Sequence, residues 1–363
     1  MLTKTLSKTL AWAFLNLLNK QRYDYLIKEF ESLENAWRNI DAEILKMFAC
    51  RKETISRTLK TIKNFDFDER QKYLEENDII LISIEDSAYP DTLRQIPDPP
   101  VFLFCKGNID LLKSPSISIV GTRKMTSYGK RVVEEIVPEL VRAGLTTISG
   151  LAIGIDAEVA RETLRTGGTT VAVLGNGLPE IYPPSNSLLA EDIVNANGLL
   201  VTEFSPGTPP GKYTFPSRNR IIAGLSPGTI VIEAAEQSGS LITASLALEY
   251  GKDVFAIPGQ IFDPNFAGTN QLISKSGAKL ITSASDVLDE LGINVTEEEK
   301  SSNYNPQTED EAILYETLGK MPMTLDDLVE KTGLSAGKIN TGLTLMELKG
   351  VVKNLGMGNW IKV

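Results

Sequence analysis

Ser118-Ile119-Val120-Gly121-Thr122-Arg123, with Ser127-Tyr128-Gly129-Lys130 close behind it, reads as an apolar strand, a glycine turn and the start of a helix. The unit recurs from Ile117 to about Ile281. Strands are expected at Ile117 to Val120, Thr146 to Ile148, Thr170 to Leu174, Gly198 to Thr202, Thr229 to Ile232, Val254 to Ala256 and Lys279 to Ile281. Amphipathic helices fit between them, notably Ser127 to Arg142, Ile155 to Arg165, Asn186 to Asn195 and Ser240 to Tyr250. Alternation of this kind predicts an α/β fold with a Rossmann-like, doubly wound, mostly parallel sheet. Ligands of such sheets bind beyond the carboxyl ends of the strands, which directs attention to the loops that follow them.

The flanks differ in texture. Residues 1–76 alternate short apolar helical runs with polar breaks, as in Ile44-Leu45-Lys46-Met47-Phe48, and read as a small helical domain of the SAM or helix-hairpin-helix kind. Strand-like runs at Ile79 to Ile82 and Val101 to Phe104, joined by a Pro-rich connection, open the sheet domain, placed at 77–290. Residues 291–309 are polar and acidic, as expected of a linker. Residues 310–363 offer a capped helix, a glycine turn, a second helix running to Leu348 and a hairpin from Val351, which together make a winged helix.

Composition narrows the chemistry. The chain of 363 residues contains no histidine, which removes the Ser-His-Asp and Cys-His arrangements and the commonest general base. Cys50 and Cys105 stand far apart with no CxxC partner, so neither a zinc site nor a disulfide framework is expected, and no metal or cofactor is called for. The N-terminal apolar run is soon broken by Asn19-Lys20-Gln21-Arg22 and reads as a core helix; no membrane span and a cytoplasmic location are expected. A net charge of −10 argues against indiscriminate coating of nucleic acid while leaving room for a local basic site.

Several loops after strands carry candidate groups. At Gly121-Thr122-Arg123 a glycine turn, a helix N-terminus and a guanidinium converge as a phosphate would require, for a nucleotide or for a nucleic-acid backbone. Neither GxGxxG nor GxxxxGK[ST] is present. Ser149-Gly150 lead into a turn whose Asp156 reads as a helix end-charge. Leu174-Gly175-Asn176-Gly177 with Tyr182-Pro183-Pro184 reads as a packing turn, and Glu233 is a carboxylate without an acidic partner in its motif. Phe215-Pro216-Ser217-Arg218-Asn219-Arg220, preceded by Lys212-Tyr213, sets rings beside cations, the combination single-stranded nucleic acid demands. The competing reading makes Phe215 and Ile221 core contacts and ties the arginines into salt bridges.

VGTRKMTSYG at 120–129, SGLAIGIDA at 149–157, VLGNG with YPPSN at 173–186, FPSRNRIIAGLS at 215–226, IEAAEQSGSLITASLALEYGKDVFAIPG at 232–259 and GTNQLISKSGA at 268–278 occur in one order. In this the chain resembles the DNA-processing protein A family, also called DprA or Smf. The resemblance implies a single-stranded DNA-binding recombination mediator without catalysis, a homodimer that loads RecA recombinase during natural transformation, with single-stranded-DNA-binding protein a further partner. It implies a phosphate contact for Arg123, and a phosphate contact and a stacking ring for Lys212 and Phe215. The candidate DNA-binding set is Gly121, Thr122, Arg123, Ser149, Gly150, Lys212, Phe215, Arg218, Asn219 and Arg220. Ile153 and Ala160 depart from the family's usual Arg and His, with loss of a cation from the rim as the expected effect. The first winged-helix helix is acidic at Asp326, Asp327 and Glu330, which favours a protein contact over DNA reading. The rival reading is a nucleotide-handling enzyme of the phosphoribohydrolase type with Glu233 as its acid, although its PGGxGTxxE signature is missing.

Overall fold

A computed structural model describes residues 5–293, 306–319, 322–356 and 358–362. Most of the expected linker, and Met357 in the hairpin, therefore lie outside the described residues.

The chain opens with α1 (Thr5–Leu15), α2 (Lys20–Phe30), α3 (Leu33–Asn39), α4 (Ala42–Met47), α5 (Lys52–Lys63) and α6 (Phe67–Glu76). Side chains of Asn19, Ser32, Asp41 and Asp66 cap the first turns of α2, α3, α4 and α6, which explains the short helices and abrupt turns. The helices bury Trp12, whose indole donates to the Leu33 carbonyl at 2.9 Å and meets Trp37 edge to face. One compact unit embraces residues 1–294, and a single apolar core runs from Leu10 into the sheet. The helical segment expected as a separate domain thus shares its core with the strands; Phe14 packs between Phe65 and Phe104.

The sheet then follows in order: β1 (Ile80–Ser83), α7 (Asp91–Arg94), β2 (Phe102–Gly107), β3 (Ser116–Val120), α8 (Ser127–Arg142), β4 (Thr146–Ser149), α9 (Ile155–Arg165), β5 (Thr170–Val173), α10 (Ser187–Asn195) and β6 (Leu199–Thr202). It continues through α11 (Thr214–Leu225), β7 (Gly228–Val231), α12 (Ser240–Glu249), β8 (Asp253–Ala256), α13 (Ala267–Ser274), β9 (Lys279–Leu280) and α14 (Ala284–Glu290). Spatial order is β1-β2-β6-β5-β4-β3-β7-β8-β9. Strands β3 to β9 run parallel, and β1 and β2 add an antiparallel margin. Helices cover both faces, so β3 to β7 are buried throughout and read as nearly continuous apolar runs. Succession reverses between β3 and β7, the switch point where a doubly wound sheet opens a crevice.

Residues 295–363 form a second compact unit. Its described part comprises α15 (Glu309–Thr317), β10 (Met323–Thr324), α16 (Leu325–Thr332), α17 (Ala336–Leu348), β11 (Val352–Gly356) and β12 (Asn359–Lys362), with sheet order β10-β12-β11. Thr324 and Asp327 make a reciprocal capping box on α16, and Gly333 ends that helix in the left-handed conformation. Leu314, Leu328, Ile339, Leu343, Met346 and Trp360 fill the small core.

Candidate nucleic-acid interface

The FPSRNR stretch lies inside the first turns of α11 and not in the loop before it. Thr214 Oγ1 accepts from the Gly211 amide at 2.9 Å, which folds the Pro-rich loop back onto the helix start. Helical spacing then splits the motif by direction. Phe215 stays half-exposed at the carboxyl edge, Arg218 turns inward, and Arg220 turns toward β6.

Phe215 rests on the glycine of the loop after β5: a Cβ at Gly175 would lie 2.7 Å from the Phe215 ring. The Tyr182 ring, from the same loop, is 5.6 Å from it centre to centre and tilted by 45°. Arg123 places its guanidinium carbon 5.4 Å from the Phe215 centroid, within cation–π range. Loops after β3, β5 and β6 thereby build an aromatic surface with a cation over it. Lys212 and Tyr213 stand beside it, exposed, and Lys212 has no ion pair among the described residues. Sequence reading gave Tyr182 to a packing turn; its exposed aromatic on the same strand edge was the available signal.

The remaining members of the candidate set are committed to the fold. Arg218 is 4% exposed, and its Nη1 donates to the carbonyl of Gly150 at 2.7 Å and to that of Val173. Burial pushes this guanidinium down to about 10, with the charge of Asp156 opposing the shift. Burial in turn raises the Asp156 carboxyl, offset by Arg218 and by the Ala152 amide. Asp156 is therefore the counter-charge of Arg218 as well as a helix end-charge. Ser149 Oγ donates to Ile119 O, and a Cβ on Gly150 would collide with the Arg218 guanidinium. Asn219 Nδ2 donates to Gly239 O at 3.3 Å, tying α11 to the loop before α12. Arg220 grips both Glu203 carboxylate oxygens at 2.7 Å and faces Asp98 at 3.6 Å.

The turn after β3 also makes contacts within the fold. Thr122 N donates to Glu233 O at 2.7 Å, and the Glu233 carboxylate accepts from Thr126 N at 3.1 Å and lies 3.3 Å from Thr126 Oγ1. A Cβ at Gly129 would fall 2.2 Å from Glu233 Oε2, so glycine there makes room for the carboxylate. The positive end of α8 holds an internal anion, and burial raises the Glu233 carboxyl despite the Thr126 bonds. Gly121 packs on Ile155 instead of opening an amide nest. What the turn presents outward is Arg123 and Lys124.

Of the two departures, Ile153 is 48% exposed at the rim, whereas Ala160 is buried in α9 and removes nothing from the surface. In the winged helix, Lys338 pairs with Asp310 at 2.9 Å and Lys349 reaches Glu311 at 3.3 Å, so both lysines of the second helix region are paired.

Comparison with known proteins gives the family. The family model "DNA recombination-mediator protein A" matches residues 80–292, more than half of the chain. The chain belongs to the DNA recombination-mediator protein A family. A DprA winged helix domain matches residues 298–356. Among family members, DNA processing protein DprA of Streptococcus pneumoniae is 43% identical over 69% of this chain and 89% of its own length. Protein Smf of Synechocystis is 34% identical over 94% and 95% of the two chains. The crystal structure of the pneumococcal DNA processing protein A superposes with a TM-score of 0.68 at 36% identity, covering 82% of this chain and all of that one. A structure of DNA processing protein A from Helicobacter pylori, described for its single-stranded DNA binding mode, reaches 0.52 at 31% identity over 58% and 95% of the two chains. No described helix of this family member is long and apolar enough to cross a membrane.

Proposed function

We propose that this protein binds single-stranded DNA at the Arg123, Tyr182, Lys212 and Phe215 surface and hands it, as a homodimer in the cytoplasm, to RecA recombinase during natural transformation. Single-stranded-DNA-binding protein is the further partner of that exchange. The observation that carries the reading is the Phe215 ring, half-exposed between Tyr182 and Arg123 at the carboxyl edge of a parallel sheet. A base stacked there keeps its phosphate near Arg123 and Lys212, and stacking is indifferent to sequence because every base has a flat face. The non-enzymatic reading draws support from Glu233, which is buried and engaged by Thr126.

The deciding experiment is anisotropy titration with single-stranded and double-stranded oligonucleotides across a salt series. Tighter binding of the single strand is expected; equal affinity for both would overturn the reading. Lys212→Ala is expected to lower the slope of log affinity against log salt by about 0.7, the value for one lost single-strand phosphate contact. An unchanged slope removes Lys212 from the interface. Tyr182→Ala removes the ring beside Phe215 and should weaken single-strand binding by about 1 kcal/mol, the low end of the range for one stacking ring. Unaltered affinity in that variant returns Tyr182 to packing. Incubation with nucleoside monophosphates checks the enzyme reading: release of free base would support it.

A further inference from the structure

Helix α5 and its N-cap residue carry Arg51, Lys52, Arg57, Lys60 and Lys63 against one carboxylate, Glu53. All five cations are exposed, and none forms an ion pair among the described residues. Neighbouring helices of the same layer behave otherwise: Lys20 pairs with Asp24, Arg38 with Glu34, Lys46 with Glu43 and Lys72 with Glu76. At 100° per residue Lys52, Ser56, Lys60 and Lys63 fall within one quadrant, flanking the side that buries Ile55 and Thr58. Lys52 and Lys63 are separated by about 16 Å along the axis, a span of several phosphates. Five unpaired cations concentrated on one element of a chain with net charge −10 repel one another at a cost that a polyanion would remove.

The position of this face relates it to the stacking surface. Three residues join α5 to α6, and Phe65 in that joint contacts Phe14, which packs on Phe104 of β2. Phe104 pairs with Thr202, the last residue of β6, so the corner lies toward the carboxyl edge of the parallel strands and within the same packed unit.

We infer that the α5 face is a second contact for the same DNA strand: its phosphates run past Tyr182 onto Lys60, Lys63 and Lys52 after leaving Phe215. This inference rests on the stacking reading above and adds an exit track to it. It predicts dependence on strand length, because an oligonucleotide of about six nucleotides occupies the stacking surface without reaching α5, and one of about thirty reaches both. Lys60→Gln with Lys63→Gln is the variant, since both side chains are exposed and neutral replacement leaves the buried side of α5 intact. With the long strand the salt slope should fall by about 1.4, two phosphate contacts at 0.7 each; with the short strand it should stay unchanged. Phe215→Ala, run in parallel, should weaken both lengths. An unchanged slope on the long strand overturns the exit track and leaves the stacking surface standing. A slope that falls equally for both lengths also overturns it, as a general field effect. Weakening confined to duplex DNA assigns α5 to a different ligand, and a Phe215→Ala variant that binds the short strand as tightly as the wild type refutes the stacking surface and the track together.

Discussion

Arg218→Ala is expected to lower folding stability by about 2–5 kcal/mol, because it leaves two buried carbonyls without a donor at about 1–3 kcal/mol each. The guanidinium closes the carboxyl ends of β4 and β5 by donating to Gly150 O and Val173 O, and it faces the buried Asp156. Alanine leaves two carbonyls unsatisfied and a carboxylate without its counter-charge. Lysine is a poor substitute, because its compact, strongly hydrated ammonium is costlier to bury than a guanidinium and reaches less far. The pH dependence gives the result a second signature. A carboxyl raised by burial stabilises the fold while it is protonated, and that contribution is lost as pH rises from about 4 through its raised value. Without Arg218 the penalty for ionised Asp156 grows, so the deficit of the variant should be full at neutral pH and shrink toward pH 4. Urea unfolding at several pH values measures both effects. An unchanged midpoint would show that the Arg218 and Asp156 pair does not hold the strand ends.

Phe215→Ala should cost about 1–3 kcal/mol of single-strand affinity with little dependence on sequence, while leaving stability close to that of the wild type. The ring is half-exposed, so its removal opens no sealed cavity, yet it forms the centre of the surface shared by Gly175, Tyr182 and Arg123. The contrast with Arg218, three residues along the same helix, is sharp: one variant loses the fold and keeps its surface chemistry, the other does the reverse. Anisotropy titration with mixed-sequence and homopolymeric single strands reads the effect. Full affinity after loss of the ring would refute stacking at Phe215.

Local pattern carried the architecture. The strand at Ile117 to Val120 and the helices at Ser127 to Arg142 and Ile155 to Arg165 were legible because apolar runs and amphipathic periods are properties of neighbours in the chain, and the structure places them within a residue of expectation. The family motifs pointed to Arg123, Lys212 and Phe215, of which the structure sets the Arg123 guanidinium over the Phe215 ring. Direction of side chains was another matter. Arg218 finds its acceptors 68 and 45 residues away, and Arg220 finds Glu203 across the β6 loop; spacing within FPSRNR shows only that the two arginines are separated by two positions. Tyr182 read as part of a turn because its partner ring comes from a different loop. The glycine turn at Gly121 resembled a phosphate cradle because the group that fills the helix end, Glu233, lies more than a hundred residues downstream.

That carboxylate bears on how the protein lives among other anions. In a doubly wound sheet the helix end at the switch point is the natural berth for a nucleotide's phosphates. Here the berth is taken by the chain's own Glu233, whose Oε2 is engaged by Thr126 and admitted by Gly129 while Oε1 is buried without a hydrogen-bond partner among the described residues. A free nucleotide would have to displace a covalently tethered competitor and leave its charge without a donor. The helix end that a free nucleotide's phosphates would seek is thus filled from within the fold, by a side chain that is itself fully buried.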